Sequence, residues 1–205
     1  VLLIQAVFFG DGGLMALGAN IINMGFFTCF VVYPLFYKPL MRQNKKMIYR
    51  AVITIASAVI AMSLGAFAVV VETVLSGRTE LPFLQFFMLM IPIHVAIGLV
   101  EGIVTFFILE FVYQQRPDII PNQENNQGPI SSQKKVRKGA IIGLTVGMLL
   151  IASVFSLYAS ELPDGLEWSI EKIVGTTDLE SQNPLHQWFS TLQEKIAIFP
   201  DYSLK

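Results

Sequence analysis

Two places in the sequence set ionisable or strongly polar groups among apolar neighbours. In the run from residue 82 to 113, His94 and Glu101 stand seven residues apart, two turns of an α-helix, so their side chains share a face. Ionisable groups inside an apolar span are costly and default to a functional reading. Two readings stand: a buried polar pair or the lining of a path, or an imidazole bonded to a neighbouring helix with Glu101 near the inner boundary. Glu72 and Glu110 stand toward span ends, where a solvated carboxylate is ordinary. The second place is Gly10-Asp11-Gly12-Gly13, followed by Asn20 and Asn23 three residues apart on one helix face, with the glycines permitting close backbone approach. Asp11, Asn20 and Asn23 would satisfy broken-helix backbone or surround a solute; alternatively they form a turn with an N-terminal acid and amide bonds between helices.

Other chemistries are missing. The sequence holds no HExxH, CxxC, GxxxxGK[ST] or GxSxG, so it has neither a P-loop for nucleotide hydrolysis nor a recognisable catalytic nucleophile. An enzyme is not expected, since acid–base work by His94 and Glu101 would lack a nucleophile or paired carboxylates. Cys29, the one cysteine, lies in an apolar run and can form no internal disulfide. His186, beside Trp188, is a poor metal site without partners and reads as structural. Fourteen basic against fifteen acidic residues, with no basic stripe, give no nucleic-acid surface.

The elements that must position these groups are apolar helices. Of 205 residues, 54% are hydrophobic and only 14% charged, against about a quarter charged in soluble domains. Residues 14–37, 48–74, 82–113 and 139–159 are each long enough for a membrane helix. The third, 32 residues, must tilt or break between Pro82 and Pro92. Residues 1–9 reach only about 14 Å and read as the end of a helix whose beginning precedes this sequence, an N-terminal truncation. Residues 38–50 and 116–138 hold five basic residues each, whereas the 76–81 turn has only Arg78, so the two basic loops are expected inside the cell. The tail from residue 160 onward, three lysines against eight acids, is then extracytoplasmic, on the side of the Asp11 turn.

The expected fold is therefore an all-α membrane protein, a bundle of one partial and four full transmembrane helices with a small extracytoplasmic C-terminal segment. It divides into a transmembrane unit at residues 1–115, a Pro-, Asn- and Gln-rich cytoplasmic linker at 116–138, and a helix plus tail at 139–205. The last helix opens Gly139-x-x-x-Gly143-x-x-x-Gly147, one small-residue face for close helix packing against other helices or a partner, or simply small residues in a membrane helix.

The run from Gln5 through Gly13 and on from Ala16 to Gly25 resembles the CbiM/NikM family, the substrate-binding membrane subunits of energy-coupling-factor cobalt and nickel importers, and His94 to Gly102 with Arg116-Pro117-Asp118 matches another stretch of it. Leu162-Pro163-Asp164-Gly165-Leu166-Glu167-Trp168, closing with Phe199 to Ser203, is similar to the PDGLE domain. The resemblance implies ATP-driven uptake of Co2+ or Ni2+. A transmembrane coupling subunit of CbiQ or NikQ type and cytoplasmic ATPases of CbiO or NikO type would be partners in the plasma membrane's lipid bilayer. It also implies that the metal is held by an N-terminal Met-His segment and an early-loop His that have no counterpart here. No metal ligand or bound cofactor is thus expected in this chain, and the transported ion belongs to the full-length protein. Small faces such as Ala56, Ala58 and Ala61 would serve as sliding contacts. A membrane-anchored assembly or regulatory protein, its acidic tail binding a partner, is the alternative function.

Overall fold

The computed structural model describes residues 2–10, 12–43, 46–77, 81–115, 142–143, 146–147, 164–176 and 183–198. Among these residues all regular structure is helical. A short α1 (Leu2–Ile4) widens into a π-type segment, π1 (Gln5–Phe9), and stops at Gly10, whose left-handed φ of 72° ends the run. After a glycine turn the chain re-enters helix as α2 (Leu17–Asn20), continues as π2 (Ile21–Tyr37) and closes as α3 (Lys38–Gln43). Two long helices follow, α4 (Met47–Ser76) and α5 (Phe83–Gln115), and then two short ones, α6 (Gly165–Val174) and α7 (Pro184–Ile196).

Three stretches are long and apolar enough to cross a membrane: Leu17–Arg42, Met47–Ser76 and Phe83–Gln114. They correspond to the first three expected spans. Most of the fourth, at 139–159, and all of the linker at 116–138 lie outside the described residues; 142–143 and 146–147 are helical. Of the two options for the long third span, a break near Pro92 is not taken. α5 runs unbroken for 33 residues with Pro92 inside it.

α4 is the middle helix, packed along α5 and against π2. Its buried residues Ile53, Ser57, Ala61 and Gly65 recur every fourth position, giving a narrow, small-residue stripe. At Gly65 this stripe meets Asn23 of π2, while α5 buries Phe86, Met90, Gly98, Gly102 and Phe106 at the same four-residue interval. At Gly98 and Gly102 the approach is closest: a Cβ placed there would lie 2.9 Å from Val59 Cα and 2.8 Å from Ile55 Cα. Only glycine permits this contact, the small-xxx-small arrangement by which membrane helices bring backbones together. Ala58 belongs to it, 3.2 Å from that Cβ position on Gly102, and Ala61 is also buried. At the far end of the pair, Ala66 and Val70 of α4 meet Leu81, Phe86 and Met90, and Leu166, Ile170 and Ile173 of α6 pack over them. This apolar cluster is therefore covered in part by the C-terminal segment.

Candidate functional site

The glycine turn between π1 and α2 is the first constellation. Gly10, Gly12 and Gly13 all take left-handed φ angles, 72°, 79° and 68°, which other residues rarely adopt. Asp11 lies outside the described residues. Asn20 Nδ2 donates to the Gly12 carbonyl at 3.0 Å, closing the turn from within its own helix. From the other side comes a residue that the sequence did not single out. Gln193 of α7, only 8% exposed, donates through Nε2 to the carbonyls of Gly10 (2.7 Å) and Ala6 (3.2 Å). Its Oε1 accepts from the Leu14 N–H at 3.0 Å. Just beyond, the Ile198 N–H donates to the Phe8 carbonyl at 3.0 Å. One carboxamide thus satisfies main-chain groups on both sides of the turn, and nothing in a polar surface helix marks this glutamine beforehand.

Asn23 does something else than Asn20. It is 3% exposed, and its Nδ2 donates to Glu72 Oε2 at 3.0 Å, tying π2 to the last turn and a half of α4. Glu72 is exposed, as its place near a span end suggests, but it has this partner. Asn23 Oδ1 is buried without a hydrogen-bond partner. Gly65 makes room for the backbone here, since a Cβ on it would stand 2.7 Å from the Asn23 carbonyl oxygen.

His94 and Glu101, expected on one face, are given different surroundings. His94 is half-buried, and its Nδ1 donates to the Met90 carbonyl of its own helix at 2.8 Å, since a carbonyl can only accept. Glu101 is exposed. The cover over His94 comes from α6, where a Cβ on Gly165 would come within 3.3 Å of His94 Cε1. Glu101 stands two turns further along α5.

Over His94 sits the start of α6. A Cβ on Gly165 would lie 2.8 Å from Ile93 Cγ2 and 3.3 Å from His94 Cε1, so this position also has no room for a side chain. Its neighbours complete a local design. Asp164 Oδ1 accepts from the Leu166 and Glu167 N–H groups, both at 2.8 Å, and Glu167 Oε2 accepts from the Asp164 N–H at 3.2 Å, a full capping box. Leu166 packs against the core cluster. In Asp164-Gly165-Leu166-Glu167 the acid caps, the glycine seats the helix on α5, the leucine anchors it and the glutamate closes the box. Asp164→Ala is expected to cost about 1 kcal/mol of helix stability. Hydrogen exchange across residues 164–176 checks this, with faster exchange than in the unaltered chain as the expected result.

At the opposite end of the α4/α5 pair, Glu110 is more than a solvated carboxylate. Arg50 Nη2 lies 2.7 Å and 2.8 Å from its two oxygens, Nε bonds one of them at 3.2 Å, and the guanidinium stands 5.0 Å from the Tyr113 ring centroid. Of the small-residue stripe, Gly139 lies outside the described residues, and a Cβ added at Gly143 or Gly147 would meet nothing within 4 Å. His186 is exposed on α7. Among the described residues, no three His, Cys, Asp or Glu side chains gather closely enough to hold a metal ion.

Two family models match the chain. That for the cobalt uptake substrate-specific transmembrane region, CbiM, covers residues 1–119, and that for the PDGLE domain covers residues 138–205. The chain is 28% identical over 204 residues to a putative fused nickel transport protein NikMN of Archaeoglobus fulgidus, a match that takes in all of this chain and 59% of that protein. It is 32% identical over 130 residues to a cobalt transport protein CbiM of Sorangium cellulosum, covering 58% of this chain and 53% of that protein. A cobalt transport protein CbiM of Desulforamulus reducens is 26% identical over 140 residues, 63% of this chain and 52% of that protein. The chain therefore spans less than two thirds of the length of these relatives. No solved structure matches it.

Proposed function

The chain belongs to the CbiM family, the substrate-specific transmembrane proteins of cobalt uptake, and carries a PDGLE domain; from that premise we propose that it is the ion-selecting membrane subunit of an ATP-driven importer for cobalt or nickel. As a member it is a membrane component of cobalt or nickel transport. In this reading ATP hydrolysis lies with partner ATPases, coupled through a second transmembrane subunit, in keeping with a sequence that contains no P-loop motif. The observation that carries the reading is the gathering at one end of the bundle. The glycine turn, the Asn23–Glu72 bond, the seat over His94 and both tail helices lie there. The basic residues Lys38, Arg42 and Lys46 and the Arg50–Glu110 pair lie at the other. By the excess of Lys and Arg on cytoplasmic loops, the tail end faces out of the cell, where the ion enters.

The test is uptake. Cells producing the full-length protein, with the N-terminal Met-His segment that the family resemblance implies, together with its coupling subunit and ATPases are expected to accumulate radiolabelled Co2+ or Ni2+. Replacing the P-loop lysine of the ATPases should abolish that accumulation. In the same cells, a membrane-impermeant thiol reagent is expected to label Gln187→Cys, on the exposed part of α7, in a Cys29→Ala background. Accumulation that survives loss of the ATPases overturns the energy-coupled reading. Labelling that requires cell lysis overturns the orientation. Absence of any metal accumulation favours the anchored assembly protein.

A further inference from the structure

α7 is 13 residues long, about 20 Å, and too short to cross a hydrocarbon layer about 30 Å thick. One side of it is seated on the membrane unit. Gln193 bonds the Ala6 and Gly10 carbonyls and the Leu14 N–H, and Ala197, one turn on, is buried together with Gln193 and with Ala6 beneath. Leu14 stands just ahead of the span that starts at Leu17, so this seat holds α7 at the edge of the bilayer.

Much of the apolar surface of α7 lies away from the seat. At about 100° per residue, Leu185, Trp188, Leu192 and Ile196, spaced by three, four and four, form a stripe roughly a quarter turn from Gln193. Leu192 is half-buried; Leu185, Trp188 and Ile196 are exposed, by 61%, 58% and 40%. The opposite flank carries Gln187, Thr191 and Glu194, all exposed. Water on both flanks would not call for such a division. The apolar flank also runs on into the surface of the membrane unit. Ile198, exposed just past the helix, donates its N–H to the Phe8 carbonyl, and Phe8 is exposed together with Leu3 and Ile4 on the apolar segment that precedes the glycine turn.

We propose that α7 lies flat in the headgroup region of the bilayer, with Leu185, Trp188, Leu192 and Ile196 against the upper acyl chains and Gln187, Thr191 and Glu194 toward water. Both borders of the stripe suit that place. An indole, apolar in body with one N–H donor, is favoured where hydrocarbon meets water. Lys195, exposed and seven residues after Trp188, stands on the same side, where its stem covers apolar surface while the ammonium reaches lipid phosphate. The C-terminal segment is thereby tied twice, to the glycine turn through Gln193 and to lipid through the stripe. This placement needs a membrane unit but no particular ion, so it stands apart from the transport reading.

The experiment reads Trp188 fluorescence from the whole chain in lipid nanodiscs, with Trp168→Phe leaving it as the sole indole. Phosphatidylcholine brominated near the headgroup end of its acyl chains is expected to quench most of the emission. Lipid brominated near the chain ends should quench much less, and aqueous iodide little. A second measurement does not depend on how Trp168→Phe folds. A nitroxide attached to Leu185→Cys or to Gln187→Cys, each in a Cys29→Ala background, reports the two flanks. At 185 it is expected to relax mainly through oxygen, which concentrates in lipid, and at 187 through water-soluble chromium oxalate. Iodide quenching of Trp188 without quenching by brominated lipid, or a nitroxide at 185 open to chromium oxalate, would place the stripe in water and overturn the proposal. Protection of Trp188 from lipid bromines and iodide alike would overturn it in favour of a protein surface, such as a second copy of the chain.

Discussion

Gly102→Leu is expected to break the pairing of α4 with α5. A Cβ at this position already stands 2.8 Å from the Cα of Ile55 and 3.2 Å from Ala58 Cβ. The first of these is backbone, which cannot swing aside, so the helices must separate along the whole Gly98–Gly102 contact. Overpacking of a tight core costs about 1–3 kcal/mol. With main chain as the obstacle, Gly102→Ala should lie in that range and the leucine variant at or beyond its upper end. Gly25 supplies the control, since a Cβ there meets nothing within 4 Å. Gly25→Ala is expected to change stability by no more than about 0.5 kcal/mol. Thermal unfolding in nanodiscs, followed by circular dichroism, measures all three. Equal stabilities for Gly102→Leu and Gly25→Ala would mean that α4 and α5 do not meet at this point.

The second large effect is at the other end of the same pair. Arg50 and Glu110 hold each other through two guanidinium nitrogens, with side chains 19% and 14% exposed. Exposed ion pairs contribute about 0–1 kcal/mol, whereas removing one partner of a buried pair costs about 3–5 kcal/mol. These side chains are mostly but not wholly covered, and Arg50→Ala should therefore cost about 2–3 kcal/mol. Part of that is the carboxylate left without its partner. The double variant Arg50→Met with Glu110→Leu removes both charges and keeps most of the volume, so it is expected to recover most of the loss. Denaturant titration of the two single variants and the double variant forms the cycle. A double variant no more stable than Arg50→Ala would show that the unpaired carboxylate is not what the loss measures.

The spans were legible because a bilayer imposes a coarse requirement, about twenty apolar residues, and three stretches meet it plainly. The continuity of α5 through Pro92 was not, because a proline is tolerated when surrounding helices re-satisfy the backbone it disturbs. Helical spacing placed His94 and Glu101 on one face correctly for an isolated helix. It could not give the seat of α6, which comes to lie over His94 through Gly165. The same limit separates Asn20 from Asn23, three residues apart yet bonded to the Gly12 carbonyl and to Glu72 respectively. Asp164 and Glu167 carry the resemblance to the PDGLE domain in the sequence, and it is the structure that shows them closing a capping box. Gln193 was not legible, for its role depends on a turn that lies 179 residues from it in sequence, and local pattern carries no trace of such a contact.

The length of α5 has a consequence for the tail. At about 1.5 Å per residue, its 33 residues measure roughly 50 Å. The hydrocarbon layer is only about 30 Å thick, and even a 40° inclination would leave about 8 Å of helix outside it. The end at Phe83, Phe86 and Phe87 is oily, and standing proud of the lipid it would meet water. α6 covers Phe86 and Met90 at that end. Where this end projects beyond the lipid, α6 would stand in place of lipid over Phe86 and Met90. A chain cut before Asp164 would leave that apolar surface open to water.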